Sequence, residues 1–399
     1  MTTTTDMKQK FRFADLYNNN RTAVEKTLSA MWCGEARNES QKGYINQLKS
    51  LIPEVFAPKD AMPLVQCMNS YESVYPEHEA EAEEMLGKLW LKTMPSPDVY
   101  YKPYEHQYQC WKTLLKGKSP DGKNMSIVVT TGTGSGKTEC FMLPLVQDLL
   151  ENRVSERVQA IFLYPLNALM EDQKARMEKL LEGTDLTFAV YNGDMPQCLP
   201  SPEDRNYKKI LRKVDAIRGI TRDEHGNIVE EKFKHVIATR EELRQHPANI
   251  LLTNPTMLEY ILLRDKDKSL IHEKQDEEMG TLRWIALDET HTYTGAGAAE
   301  IAMLLRRVLL AYGVTTDDVR FATSSATIGS NDETSREELI HFIAGITGLQ
   351  SNQIRYVDGK RKGIDSLPEE DREAWLRLVN DNYDGYIKLD ELIPEGDTI

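Results

Sequence analysis

The stretch VVTTGTGSGKTEC, Val128 to Cys140, sets Gly132, Gly134, Gly136, Lys137 and Thr138 between a β-branched run and an apolar one. Glycines so spaced let backbone N–H groups curl around phosphate oxygens with no Cβ in the way. A helix beginning near Lys137 would point its positive dipole end at the same place. Lys137 would then reach the β- and γ-phosphates of a nucleotide, and the Thr138 hydroxyl would enter a Mg²⁺ shell. The bland alternative is a structural glycine turn, but the G-x-G-K-T core is intact and lies between a strand pattern and a helix pattern. Thr131 stands where the strict phosphate-loop spacing has its first glycine, which marks a class of NTPase rather than a broken motif.

A phosphate loop needs a metal-positioning acid on a neighbouring strand. The segment RWIALDETH ends an apolar run in Asp288 and Glu289. Asp288 would hold Mg²⁺ through water, and Glu289 would orient or deprotonate the attacking water. Taken alone, an Asp-Glu pair at a strand end is usually a solvated terminus. Its place in the same alternating unit as the phosphate loop reverses those odds. His291 on its own reads as a structural histidine and gains meaning only within D-E-x-H.

These residues must be positioned by elements, and the elements are visible from about Tyr100 onward. Short β-rich runs (SIVVT, AIFLY, TFAVY, NILLT, RWIALD, VRFATS) alternate with helical patterns at Thr138 to Leu150, Leu166 to Leu181, Pro255 to Leu263 and Ala298 to Tyr312. Such alternation implies an α/β fold whose parallel sheet is covered on both faces. The segment from Ser201 to Phe233 interrupts the rhythm and reads as an insertion with a helix and a hairpin around EHGN. Before Tyr100 there is no strand–helix rhythm, although RTAVEKTLSAMW and EAEEMLGKLWLK have helical spacing. TMPSPDVYYKP carries three prolines and marks a boundary.

Composition narrows the class. The chain has 399 residues, 40% hydrophobic and 28% charged, which is ordinary for a globular protein of two or three domains. No apolar run reaches the ~20 residues that span a bilayer, and the start of the chain lacks a signal-peptide core. Cys33, Cys67, Cys110, Cys140 and Cys198 have no C-x-x-C spacing and read as reduced thiols of a cytoplasmic protein. The net charge of -14 excludes a surface that is a nucleic-acid footprint throughout, though not a local basic groove.

Together TGTGSGKT, DETH and SSATIG resemble motifs I, II and III of superfamily 2 helicases, in which threonine or alanine commonly replaces the first glycine. KPYEHQ, with Pro103 and Gln107, resembles the Q motif. LYPLNALMEDQ resembles motif Ia, and YNGD with LLTNPTMLEYILLR resembles the motif Ib region. LDETHTYTGAGAAEIAMLLRR is similar to the Lhr-like, YprA-type branch, whose members include anti-phage helicases of the DISARM DrmA and Druantia DruE types. The resemblance covers about residues 100–330.

The resemblance implies a RecA-like P-loop NTPase domain behind a mainly helical accessory domain. It implies that Gln107, Thr133, Gly134, Ser135, Gly136, Lys137 and Thr138 bind ATP, Gln107 reading adenine, and that Thr138 and Asp288 hold Mg²⁺. Lys137, Asp288, Glu289 and His291 would carry hydrolysis, and Ser325, Ala326 and Thr327 would couple it to domain movement. Pro165, Asn167, Asn192, Gly193, Thr253 and Pro255 lie where family members touch the strand backbone. Asn167 stands where many relatives have arginine, so contacts there would come from backbone N–H groups. The cluster Arg205, Lys208, Lys209, Arg212 and Lys213 in the insertion would supplement them, a solvated helix face being the equal alternative.

The expected domains are a helical accessory domain over 1–99, a RecA-like domain over 100–335 with its insertion at about 200–235, and a helical, acidic segment over 336–399. No second phosphate-handling set of strands and no Q-x-x-G-R-x-G-R-like segment is visible. The expectation is therefore the first motor domain of an ATP-dependent DNA helicase or translocase, with RNA as an alternative strand. Its partners would be a second RecA domain in a longer chain and a subunit of a defence system, with no membrane involved. Alone it should bind Mg-ATP and turn it over slowly. The rival from another class is a nucleotide-gated nucleic-acid-binding or scaffolding module that unwinds nothing, and strand-stimulated ATP turnover separates the two. The pairing of D-E-T-H with S-A-T disfavours a P-loop kinase.

Overall fold

Strands buried on both faces read as near-continuous apolar runs, and each run named above forms one. A computed structural model of the chain describes residues 70–362, apart from Pro97, Thr133, Asp204 and residues 272–279 and 326–332. In chain order the elements are α1 (Pro76–Thr93), α2 (Glu105–Lys116), β1 (Ser126–Thr130), α3 (Lys137–Glu151), β2 (Ala160–Leu163), α4 (Asn167–Leu181) and β3 (Phe188–Tyr191). There follow α5 (Tyr207–Arg218), β4 (Ile220–Arg222), β5 (Ile228–Glu231), β6 (Val236–Ile237), α6 (Arg240–Gln245), β7 (Ile250–Thr253) and α7 (Pro255–Leu263). The last are β8 (Trp284–Leu287), α8 (Gly295–Ala311), β9 (Arg320–Ser325), α9 (Glu333–Thr347) and β10 (Ile354–Asp358).

Eight strands form one sheet in the order β10-β1-β9-β8-β2-β7-β3-β6, every neighbouring pair parallel. Period-two alternation splits each strand between two cores. Ile127, Phe162, Phe188, Leu252 and Trp284 face the side covered by α1 to α4. Val128, Ile161, Leu163, Leu251 and Ile285 face the side covered by α6 to α9. Trp111 and Trp284 are wholly buried, and burial of an apolar side chain of this class contributes about 1.5–3 kcal/mol. The sheet is thus the middle layer of an α/β/α sandwich, the RecA-like fold expected for the phosphate-loop segment.

The compact unit containing the sheet is Tyr71–Arg361, which extends beyond both expected limits of 100 and 335. At the front, α1 buries Ala82, Met85, Leu86 and Leu89 in the same core as α2 and α3. Its glutamates do more than face solvent: Glu81 accepts hydrogen bonds from Tyr108 (2.6 Å) and Lys112 (3.0 Å) of α2. At the back, β10 pairs with β1 over its whole length, where the sequence pattern had suggested only helix and acidic tail. Five residues bounded by polar neighbours are too short a run to stand out. In the insertion, α5 is followed by the antiparallel hairpin β4–β5, closed by Asp223 accepting from the N–H groups of His225 and Asn227.

Candidate active site

The site lies beyond the carboxyl ends of β1, β9 and β8, where three neighbouring strands release their chains together. From β1 the chain passes through Thr131, Gly132, Gly134 and Ser135 to Gly136, which caps α3. Gly134 and Gly136 have left-handed φ values of 74° and 71°, a conformation that disfavours any side chain. At Gly136 the space is closed as well, because a Cβ would run into Gln107 Nε2. Thr131 and Ser135 hydrogen-bond through their hydroxyls across the loop, so the threonine at the first-glycine position pins the loop from within.

The loop is braced from α2 by consecutive residues. His106 Nε2 donates to the carbonyl of Ser135 at 2.9 Å, and Gln107 Nε2 donates to that of Gly136 at 3.2 Å. Gln107 Oε1 accepts the N–H of Tyr104 at 2.9 Å, so both ends of the amide are engaged by backbone. Burial lowers the pKa of His106, which keeps its ring neutral against the loop. Beside His106, whose ring it meets edge-on, Tyr71 accepts the N–H of Gly132 on its Oη at 2.8 Å.

Lys137 opens α3 and its Nζ stands 4.0 Å from Glu289 Oε1, both side chains being partly exposed. Thr138 beside it is half-buried. Asp288 follows the last residue of β8; its N–H donates to the carbonyl of Leu163, which extends the ladder with β2. Burial raises the pKa of Asp288, with the Glu289 charge adding to it, while a hydrogen bond from Ser324 Oγ opposes the rise. The Glu289 N–H donates to Ser324 Oγ at 3.0 Å, and Thr290 Oγ1 donates to the carbonyl of Ser324 at 2.8 Å. These bonds hold Glu289 at φ 50°, a left-handed conformation rare outside glycine. His291 Nδ1 lies 3.3 Å from Glu289 Oε2.

Ser325 ends β9 with its hydroxyl buried and without a partner among the described residues. Thr133, Ala326 and Thr327, named from the sequence, lie outside those residues. Ser324 was not anticipated, although its place before Ser325 in the strand beside β8 is what joins the two acids. Nor were Tyr164 and Tyr293, buried tyrosines whose hydroxyls lack partners among the described residues. Burial raises both pKa values, that of Tyr293 to about 12, and the Asp288 charge adds to each rise.

The residues assigned to strand contact gather beyond β2, β7 and β3, the next three strands along the same edge. Pro165 and Asn167 lie at the start of α4, and Asn254 Nδ2 donates to Asn167 Oδ1 at 2.9 Å, tying the motif Ia loop to the motif Ib loop. Gly193 is exposed. Asn192 is only 5% exposed; its Oδ1 accepts the N–H groups of Asp194 (2.9 Å) and Met195 (3.1 Å). Thr253 is wholly buried and donates to the carbonyl of Tyr191 at 2.8 Å. Pro255 begins α7, capped by Asn254 Oδ1 accepting from Met257 at 2.8 Å. Asn192 and Thr253 therefore shape the edge, and Asn167, Gly193 and the loop backbones are what it exposes.

The model of the DEAD/DEAH box helicase family matches residues 104–334, more than half of the chain and all of the site just described except Tyr71. The chain belongs to the DEAD/DEAH box helicase family. Within it, the chain is 26% identical over 413 aligned residues to Druantia protein DruE of Escherichia coli strain UMEA 4076-1, which covers 83% of this chain and 22% of that protein. It is 26% identical to the ATP-dependent helicase YprA of Bacillus subtilis strain 168, over 69% of this chain and 30% of that one. Among solved structures, DUF1998 helicase MrfA bound to DNA is 25% identical, covering 78% of this chain and 34% of its own, with a TM-score of 0.45. The chain thus spans less than a third of the length of the family's two curated relatives named here.

Proposed function

We propose that this chain is the first motor domain of an ATP-dependent helicase or translocase acting on nucleic acid, DNA in the first place. The observation that carries the reading is the meeting of Lys137 and Glu289 at 4.0 Å across the ends of strands that a third strand, β9, separates. Outside an NTP site, a phosphate-loop lysine facing a strained, hydrogen-bonded glutamate has no evident use.

The chain's own residues divide the work. Gly134, Ser135, Gly136 and the first turn of α3 present N–H groups to phosphate oxygens. Lys137 adds a point charge toward the β- and γ-phosphates, and Glu289 orients the attacking water and takes its proton. Ser324 holds the acids at fixed spacing, which preserves their alignment before the substrate arrives. A hydroxyl and a carboxylate, Thr138 and Asp288, are hard oxygen donors of the kind Mg²⁺ prefers. The buried Asp288 carboxyl, its pKa raised by burial, is a place where a cation would offset a poorly solvated charge. No cluster of three or more His, Cys, Asp or Glu that could hold a metal exists among the described residues, which suits an ion that takes its remaining ligands from phosphates and water. When bound, Mg²⁺ neutralises charge on the β- and γ-phosphate oxygens.

The strand would lie along the adjacent edge, read through its backbone and so without regard to sequence. A second RecA-like domain, supplied in a longer chain, would contribute arginines worth about 10³ to 10⁵ in rate. The similarity to Druantia protein DruE supports a role in anti-phage defence, and nothing among the described helices is long and apolar enough to cross a membrane.

The test is ATP turnover with and without single-stranded DNA, with a second RecA-like domain supplied in trans or by extending the chain, for the wild type and for Glu289→Gln. The expected result is strand-stimulated turnover that Glu289→Gln removes while ATP binding persists. Turnover unchanged by Glu289→Gln would overturn the assignment.

A further inference from the structure

The insertion helix α5 is amphipathic in an unusual sense: one face is apolar and the other is purely cationic. Val214 is buried and Ile217 packs against the core beneath the sheet. On the far side, Arg205, Lys208, Lys209 and Arg212 follow the i, i+3, i+4, i+7 spacing that aligns side chains on one face. Arg205 lies two residues before the helix, ahead of its N-cap Asn206; all four are exposed, and none has an ion pair or side-chain hydrogen bond among the described residues. In a chain of net charge -14, acids to neutralise them are plentiful. Two acids around the helix are used otherwise: Asp215 pairs bidentately with Arg222 at 2.8 Å, and Glu242 with Arg218 at 2.7 Å. Glu203 stands exposed in the preceding loop without a partner among the described residues, and Asp204 lies outside them. Like charges at these spacings destabilise an isolated helix, a cost that a polyanion would reverse.

Position adds a second, independent observation. Lys213, on the flank of the stripe, binds the Asp194 carboxylate at 3.1 Å. Asp194 adjoins Gly193, so the helix is moored to the loop at the end of β3. The cations, with the half-buried Tyr207, line an open groove of about 800 Å³. Basic side chains that track a backbone, interleaved with an aromatic ring for a base to stack on, are the recognition chemistry of single-stranded nucleic acid.

We propose that α5 forms a second electrostatic contact with the strand, extending the track beyond the motif loops. The inference rests on the nucleic-acid reading above. Arg205, Lys208, Lys209 and Arg212 engage successive phosphates, Tyr207 offers a base platform, and Lys213 serves as the mooring. The occupant is a single strand of DNA or RNA, because the contacts are to phosphates and to a base face rather than to base edges.

The experiment is fluorescence anisotropy of labelled single-stranded DNA and RNA with the 399-residue chain across a salt series. It compares the wild type, a variant with Arg205, Lys208, Lys209 and Arg212 all replaced by Ser, and the charge-preserving pair Lys208→Arg with Lys209→Arg. Each lost phosphate contact on a single strand lowers the slope of log affinity against log salt by about 0.7, so the serine variant should be shallower by about 3. The arginine pair should keep the wild-type slope, and thermal melts should confirm that the exposed serine substitutions leave the fold intact. If the wild type binds and the serine variant keeps its slope, the role of α5 is refuted while the motif loops stand. If the wild type binds neither strand, the nucleic-acid reading falls and this inference with it.

Discussion

Ser324 Oγ donates to the Asp288 carboxylate and accepts the N–H of Glu289 at 3.0 Å. One hydroxyl at the end of β9 therefore fixes the side chain of one acid and the backbone of the next. Ser324→Ala would leave the part-buried Glu289 N–H without this partner, a cost of about 1 kcal/mol. It would also remove the bond that restrains the pKa of Asp288, so the pH at which turnover is lost on the acid side should rise. Thermal melts and a pH profile of turnover check the two effects separately.

Asp288 is held where its charge is disfavoured, so its substitution should separate stability from activity. Its folded pKa is raised above the unfolded value, chiefly by burial. The stabilising share of such a group is present below the unfolded pKa and is lost as pH rises through the folded one. At neutral pH the ionised carboxylate is thus a cost. Asp288→Asn keeps the shape and still accepts from Ser324, so it should melt at a higher temperature than the wild type at pH 7, while turnover disappears. The gap should close as pH falls into the carboxyl range. A melting temperature lowered at pH 7 would contradict this.

Beneath the sheet's far edge from the site, Asp148 accepts from Arg283 Nε (2.8 Å), Arg283 Nη2 (2.7 Å) and Trp284 Nε1 (2.7 Å). Burial alone would raise its pKa, but the hydrogen bonds from Arg283 and Trp284 prevail and lower it. Stability from this group is present above the unfolded carboxyl range and fades as pH falls through the depressed folded value. Asp148→Ala strands a half-buried guanidinium and the buried Trp284 N–H, and should cost about 1.5–3 kcal/mol. Chemical denaturation at pH 7 measures the loss, which should shrink below the carboxyl range.

Gln107 distinguishes two ways of serving the nucleotide. The Q-motif resemblance gives it adenine to read, whereas its observed bonds go to Gly136 and Tyr104. If bracing is its task, Gln107→Ala, which removes both bonds, should weaken ATP and GTP alike, by roughly tenfold for the one bond of about 1.4 kcal/mol that reaches the loop. Competition binding with the two nucleotides reads the ratio. A ratio that narrows would restore the adenine role.

Much of this was legible in the residues, for reasons that differ by position. β1, β2, β7 and β8 are buried on both faces, so their sequences are unbroken apolar runs. Lys137, Asp288 and Glu289 stood out because the phosphate and metal chemistry proposed for them tolerates few residue types and fixes their spacing. Ser324 was hidden because a serine in a buried strand carries no periodic signal, and its role depends on which strand lies beside it. The strand order that puts β9 between β1 and β8 is a tertiary fact. α1 was legible as a helix from Met85, Leu86 and Leu89, but nothing in one amphipathic stripe says which surface it covers. Thr253 and Asn192 were assigned to strand contact by motif, yet their side chains are spent on backbone bonds that only the folded chain reveals.

The central claim is that Lys137 and the loop around it hold a nucleotide triphosphate. Calorimetric titration of Mg-ATP into the 399-residue chain, beside the same titration with Lys137→Ala, tests it most directly. The account predicts saturable one-to-one binding by the wild type and loss of most of that affinity in the variant, whose fold should be unchanged because Lys137 is partly exposed. Equal binding by the two proteins would contradict it.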